Sequence, residues 1–268
     1  MPFKESPGVA VVTGASSGIG AVYADRLARA GYDLVLVARN AARLEALASR
    51  LTRDARRAVR VIAADLTREG DIAQVESVLR TDPNVTLLVN NAGVGATKPL
   101  LQSDVAGMEA MLALNVIAPT RLVYAVAPAF VQRGRGGVIN ISSMVAISPE
   151  TLNGVYGGSK AYMLALSQSL HHELAGKGVR VQAVLPGAIA TEFWDLAGTP
   201  VEALPEGIVM SADEMVDAAL AGYAQGELVT IPSLPDLADW EAFEAARKAL
   251  APNLSRAHPA SRYTLSHR

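Results

Sequence analysis

Short β-branched apolar runs alternate with longer stretches of helical periodicity along most of this chain, and that alternation narrows the folds open to it more than any other feature. Runs at 9–13, 33–38, 58–64, 86–90, 137–142, 180–185 and 227–231 read as strands. Between them, 18–30, 40–53, 69–80, 104–133, 154–176 and 211–225 read as helices. Leu34-Val35-Leu36-Val37 is apolar at every position, the pattern of a strand covered on both faces. Gly31 stands where the first helix should stop, because glycine accepts the left-handed turn that ends many helices. The expectation is an α/β protein: a doubly wound parallel sheet of about seven strands, right-handed crossovers, and helices on both faces. No linker interrupts the first 190 residues, so 1–268 reads as a single domain. The segment 192–210, with Pro200 and Pro205 and no clear period, follows the sixth strand and reads as a substrate lid or as a plain surface connection. Residues 239–250 should form a short helix packing on the body or on a partner subunit, ahead of a polar, partly disordered tail at 252–268.

The first strand is followed by Thr13-Gly14-Ala15-Ser16-Ser17-Gly18-Ile19-Gly20, which opens the first helix. Spaced glycines there permit a tight turn and close approach of a diphosphate, which the helix N-terminus attracts. The end of the second strand should report which ribose is bound. A carboxylate would bind a free 2′-hydroxyl and an arginine a 2′-phosphate. Val37-Ala38-Arg39-Asn40 has no carboxylate before Arg39, and Arg43 follows one helical turn later, so NADP(H) is expected over NAD(H). After the third strand, Asp65 in Ala64-Asp65-Leu66 suits either an adenine amino group or a helix N-cap.

Tyr156 and Lys160 lie four apart, so in a helix they share a face, and Ser143 precedes the tyrosine by thirteen residues. A phenol titrates near ~10 and needs a neighbouring cation to trade protons at neutral pH. Lys160 can supply that cation, and Ser143 a hydrogen bond to a substrate oxygen. Composition removes competing chemistries. There is no cysteine, which excludes disulfides, thiolate catalysis and cysteine-ligated metals. His171, His172, His258 and His267 have no ligand spacing, so no metal is expected. Net charge is −2 without a long run of one sign, which argues against a nucleic-acid partner. No uninterrupted apolar run reaches the ~18 residues of a span, and Met1 to Pro7 lacks a signal-peptide core, so no membrane is expected and the cytoplasm is the expected compartment.

Taken together, these motifs resemble the short-chain dehydrogenase/reductase family, a Rossmann-fold family, from about residue 8 to 191. The resemblance rests on the glycine segment 13–20, Asp65, Asn90-Asn91-Ala92-Gly93, Asn115 in Leu114-Asn115-Val116, Ser142-Ser143, the Tyr156/Lys160 pair, and Pro186-Gly187 with Thr191. It implies that Tyr156 is the general acid/base and that Ser143, chosen over Ser142 by its spacing to the tyrosine, positions the substrate oxygen. It implies that Lys160 binds the nicotinamide ribose and favours phenolate. Asn115 would kink its helix and hold a water linking Lys160 to solvent. Gly14, Ser16, Ser17, Gly18, Ile19, Gly20, Arg39, Arg43, Asp65 and Leu66 would hold the adenosine and diphosphate side. Asn91, Ala92 and Gly93 would line the adenosine side of the cleft, and Pro186, Gly187, Ile189 and Thr191 would enclose the nicotinamide. The chain departs from the family after Val229-Thr230-Ile231, where Pro232-Ser233-Leu234-Pro235 replaces a glycine-rich ending. That puts one usual subunit contact in doubt, while pairing of 104–133 and 154–176 across a two-fold axis still implies a homodimer or homotetramer.

The expected reaction is hydride transfer between NADP(H) and a carbonyl/secondary-alcohol substrate. The alternative is a catalytically silent nucleotide-binding or scaffold protein of the same fold. Phe193, Trp194, Leu196 and Leu204 in the lid, with Met144, Val145 and Ile147 after Ser143, point to a small-molecule substrate that is largely apolar, unless those side chains only pack on one another.

Overall fold

Strand β1 (Val9–Thr13) lies inside a seven-stranded, all-parallel sheet of order β3-β2-β1-β4-β5-β6-β9 in the computed structural model, which describes residues 7–205 and 207–263, apart from the side chains of Asp195 and Leu196. The other strands are β2 (Asp33–Ala38), β3 (Val59–Ala63), β4 (Val85–Asn90), β5 (Gly136–Ile141), β6 (Val179–Val184) and β9 (Val229–Thr230). All seven expected strands are present, within two residues of their expected ends. The order reverses between β1 and β4, the place where doubly wound sheets leave a crevice beyond their carboxyl ends.

Alternation along the strands divides the core. Val11, Val35, Val37 and Leu88 face one layer with α3 (Glu69–Thr81), α5 (Ala118–Arg133) and α6 (Gly154–Leu174). Ala10, Val12, Leu34, Leu36 and Val89 face the other, with α1 (Gly18–Arg29), α2 (Ala41–Ala55) and α8 (Ala212–Gln225). Burial on both faces explains the unbroken apolar run in β2. Local signals end the helices as the sequence foretold: Gly31 turns left-handed after α1, with φ of 101°. Asn40 caps α2 by accepting from the Arg43 amide at 3.0 Å.

The expected helix over 104–133 is subdivided. It comprises α4 (Val105–Leu112), a π turn over Ala113–Ile117, and α5. By length and composition this run could cross a membrane. Its inner face, including Ala118, Leu122, Val126 and Phe130, instead packs in the core.

Two short strands went unforeseen. β7 (Ala188–Ala190) and β8 (Val209–Ser211) pair in parallel as a separate sheet, with α7 (Phe193–Ala197) between them. Three-residue strands show too little alternation to be read from sequence. Residues up to Pro232 form one compact unit, and Ser233 onward a second. The second unit contains α9 (Leu237–Ala249), close to the helix expected at 239–250, with Trp240 stacked on Phe243 at 5.3 Å. Part of the tail expected to be disordered, 264–268, lies outside the described residues. The part before it carries two short 3₁₀ turns.

Phe130 is fully buried, and a β-carbon on Gly136 would overlap its ring, so that glycine is what lets α5 approach β5. Phe130→Ala should lower unfolding free energy by roughly 3–5 kcal/mol, read as a shift in the urea midpoint. A loss below about 1 kcal/mol would mean that the site collapses around the gap.

Candidate active site

The crevice between β1 and β4 is built by close backbone approach. Gly14 and Gly18 adopt φ of 66° and 51°, which disfavours other residues. A β-carbon on Gly14 would lie 2.8 Å from Asn91 Nδ2, and one on Gly20 would overlap Gly14 O. Thr13 joins the two strand ends: its Oγ1 donates to Val89 O at 3.2 Å and accepts from the amides of Asn91 and Ala92 at 3.0 Å each. Asn91 Nδ2 donates to Thr13 O at 2.9 Å and Gly14 O at 3.2 Å. Asn91 therefore braces the glycine loop, a task that its expected place along the adenosine wall did not suggest. Thr13 itself was quoted in the motif but not singled out. A buried hydroxyl accepting two amides becomes visible only when both strand ends are in view.

The loop fits a dinucleotide diphosphate. Ser17, at the N-cap of α1, makes no side-chain cap bond, and the first turn contains no acidic residue. Its forward amide groups thus remain available to an anion. Thr191 stands opposite: a β-carbon on Gly18 would lie 3.1 Å from Thr191 Cγ2. At the end of β2, Arg39 is exposed and acts on the Asp65 carboxylate through space, without a close ion pair among the described residues. Arg43 pairs with Glu192 at 2.7 Å, both half-exposed. Asp65 neither caps a helix nor stands free: it accepts from Thr67 N at 3.0 Å and Thr67 Oγ1 at 2.7 Å. Arg68 holds the N-cap position of α3. The hydrogen bonds from Thr67, aided by nearby Arg39, hold the Asp65 carboxyl below its ordinary range. Leu66 and Ile189 are buried in the two core layers, which fixes their backbones beside the crevice.

The three residues expected to do the chemistry converge. Ser143, Tyr156 and Lys160 are 7 %, 5 % and 7 % exposed, although all carry polar ends. Asn153 starts α6 by accepting from the amides of Val155 and Tyr156. Its own Nδ2 donates to Lys98 O at 2.7 Å, tying the helix start to the loop after β4. Ser142 and Ser143 have separate tasks. Ser142 Oγ donates to Lys160 O at 2.7 Å, anchoring α6 to β5. Ser143 Oγ makes only long contacts, to Pro186 O at 3.5 Å and from Val145 N at 3.4 Å, and hydrogen-bonds Tyr156. Lys160 Nζ donates to Ile141 O at 3.0 Å and lies 5.8 Å from the Tyr156 ring centre.

Asn115 sits in the π turn, where its amide grips a neighbouring loop. Its Oδ1 accepts from Val94 N at 3.0 Å, and its Nδ2 donates to Val94 O at 2.8 Å and Ser159 Oγ at 3.2 Å. The expected kink is thus an inserted residue, a form common at functional sites. Asn115 and Lys160 both face Gly93, where a β-carbon would lie 3.1 Å from Asn115 Oδ1 and 3.5 Å from Lys160 Nζ.

Around Tyr156 the wall is apolar: Met111 and Val145 are buried, with Val94, Ala96, Met108, Met144, Leu152, Val155 and Phe193 packed beside them. Ile147, expected in this wall, is exposed instead. Leu204 is half-buried outside the cluster, and the Leu196 side chain lies outside the described residues. Pro186 is buried and accepts from Met144 N at 2.9 Å, and a β-carbon on Gly187 would meet only open space.

The family model described as short chain dehydrogenase matches residues 8–199. The chain belongs to the short-chain dehydrogenase/reductase family. It is therefore an oxidoreductase of the kind that acts on alcohol and ketone groups. A short-chain dehydrogenase from Sphingobium yanoikuyae, solved in complex with NADPH, shares 49% identity with a TM-score of 0.93, covering 96% of this chain and 100% of that one. A bulky-bulky ketone specific alcohol dehydrogenase from Comamonas testosteroni shares 44% identity with a TM-score of 0.88, over 96% and 99% of the two chains. Among curated relatives, the very-long-chain 3-oxoacyl-CoA reductase of Bos taurus is 32% identical over 88% of this chain and 78% of its own.

Burial works on both ionisable groups. It pushes the Tyr156 phenol up to about 12, against a lowering hydrogen bond with Ser143, and pulls the Lys160 amine down from 10.5 to about 8. Between pH 8 and 10.5 the unfolded chain therefore holds the lysine proton that the folded chain has released. Stability from this group rises with pH across that window, and the burial penalty acts in full below it. Lys160→Met should stabilise the cofactor-free protein at pH 7 by on the order of 3 kcal/mol and remove the alkaline rise. Urea unfolding of both proteins from pH 6 to 10.5 checks this, and parallel profiles would contradict it.

Proposed function

We propose that this short-chain dehydrogenase is an NADP(H)-dependent oxidoreductase that interconverts ketones carrying bulky apolar groups and their secondary alcohols. The observation that carries the reading is the meeting of Ser143, Tyr156 and Lys160 within an apolar wall, beside the glycine crevice. When bound, the nicotinamide supplies or takes up the hydride. The side chains handle the proton and the oxygen. Ser143 Oγ, whose backbone contacts are long, can turn to donate to a carbonyl oxygen and fix its position. Tyr156 Oη gives that oxygen its proton in reduction and removes it in oxidation. A phenol at about 12 is a poor acid alone, and Lys160, 5.8 Å from its ring centre, would lower it when charged. Burial makes the amine ready to lose its own proton, which suits it to recharging the phenolate. Asn115 holds the turn against which Lys160 rests and would place the water that links it to solvent.

Several features favour the phosphorylated cofactor. Arg39 and Arg43 stand at the end of β2 with no carboxylate between strand and helix, and the Sphingobium relative was solved with NADPH. The apolar surround of Tyr156 and the bulky-ketone specificity of the Comamonas relative support the substrate class. Exposed Val105, Ile117 and Tyr124 on the outer side of α4–α5 fit self-association as a homodimer or homotetramer.

Tyr156→Phe should reduce NADPH-dependent ketone turnover by ~10³-fold or more while leaving cofactor affinity within about twofold. A stopped assay with labelled NADPH reads both, and retained turnover refutes the proton-transfer role. Arg39→Ala should weaken NADPH roughly tenfold or more and leave NADH nearly unchanged, because only the former offers a 2′-phosphate. Equal losses in titration calorimetry would place the phosphate elsewhere.

A further inference from the structure

Phe193, the first residue of α7, is set against Tyr156 with ring centres 5.9 Å apart and planes at 46°. What lets it sit there is a glycine. A β-carbon on Gly95, in the loop after β4, would overlap Phe193 Cζ and lie 2.8 and 3.0 Å from Cε2 and Cε1. The backbone at Gly95 does not have positive φ, so alanine is conformationally acceptable there. The glycine is required only for space. The ring tip thus occupies a notch that any side chain at position 95 would fill.

The frame holding the ring is fixed at several points. Trp194 packs edge-on against Phe193 at 5.7 Å, and its Nε1 donates to Ile189 O at 2.9 Å. Thr97, two residues past the notch, donates through Oγ1 to Ala197 O at 2.8 Å and accepts from Thr199 Oγ1 at 3.1 Å. One loop therefore supplies both the notch and the tie for the segment that bears the ring. Phe193 packs on the same cluster as Tyr156, Met111 and Val145, so it takes up volume beside the Tyr156 ring. A ketone whose oxygen reaches Tyr156 and Ser143 must put one substituent next to that ring.

We propose that Phe193, seated in the Gly95 notch, is the specificity-determining residue for the size of one ketone substituent. The inference rests on the ketone-reductase reading above. It goes beyond that reading by naming the side chain that sets the size limit and the glycine that sets the side chain. Trimming the ring opens space. Filling the notch drives the ring toward Tyr156 and closes space.

The test compares kcat/KM for phenyl pentyl ketone and phenyl methyl ketone with NADPH in wild type, Phe193→Ala, Phe193→Leu, Gly95→Ala and the Gly95→Ala/Phe193→Ala double variant. NADPH affinity and the thermal midpoint are measured for each. Phe193→Ala should move the ratio toward the pentyl ketone by roughly tenfold or more, with Phe193→Leu intermediate. Gly95→Ala should move it the other way by a similar factor, and the double variant should follow Phe193→Ala, since no ring remains to be displaced. A simple loss of folding would lower both rates together and leave the ratio unmoved. Ratios within about twofold of wild type in folded, NADPH-binding variants would overturn the proposal while leaving ketone reduction standing. A wild-type protein that binds NADPH and reduces neither ketone would overturn both.

Discussion

Everything at the crevice depends on how tightly the ends of β1 and β4 are fastened. Thr13 and Asn91 provide that fastening, through one hydroxyl bonded to three backbone groups and one amide bonded to two. Because the Asn91 amide and the neighbouring main chain close in on the loop, there is no room for a β-carbon at Gly14 or Gly20. The start of α1 is thereby set next to Thr191. Were those strand ends looser, the glycine loop and the Ser143, Tyr156 and Lys160 cluster would lose their common frame.

A second polar system serves the same end from within the sheet. Asn90 Nδ2 donates to Asn140 Oδ1, and Asn140 Nδ2 donates to Ser167 Oγ, both at 2.9 Å. Ser167 Oγ in turn donates to Met163 O at 2.7 Å. The chain links β4 and β5 to the helix bearing Tyr156 and Lys160. Buried groups joined in series specify one packing, since sliding the helix would strand several of them at once. Lys160 sits differently, with an amine held by a single carbonyl in a dry place. A desolvated amine of this kind is more often found at functional positions than at structural ones.

The strands, and the shared face of Tyr156 and Lys160, were legible because each is written locally. β-branched runs mark strands wherever both faces are covered, and the four-residue spacing of Tyr156 and Lys160 fixes a shared helical face. Of the two adjacent serines, Ser142 is engaged with the α6 backbone. What escaped reading depends on distant partners. Nothing near Asn91 in sequence indicates that it braces Gly14, and nothing near Gly95 announces an aromatic ring from position 193. Asp65 turned back on Thr67 because a hydroxyl two residues away is the nearest donor. The β7–β8 pair is held by register between segments about twenty residues apart, with too few residues to show a period.

The π turn at Asn115 reaches further than the site it borders. Five α-helical steps from Leu112 to Ile117 would set these side chains roughly 140° apart, whereas absorbing one residue leaves roughly 40°. Both are exposed, at 37% and 55%. The inserted residue therefore brings the exposed Leu112 of α4 toward the same side as Ile117. An amide gripping the Val94 backbone on the inside thus dictates, on the outside, the contour that another molecule would meet.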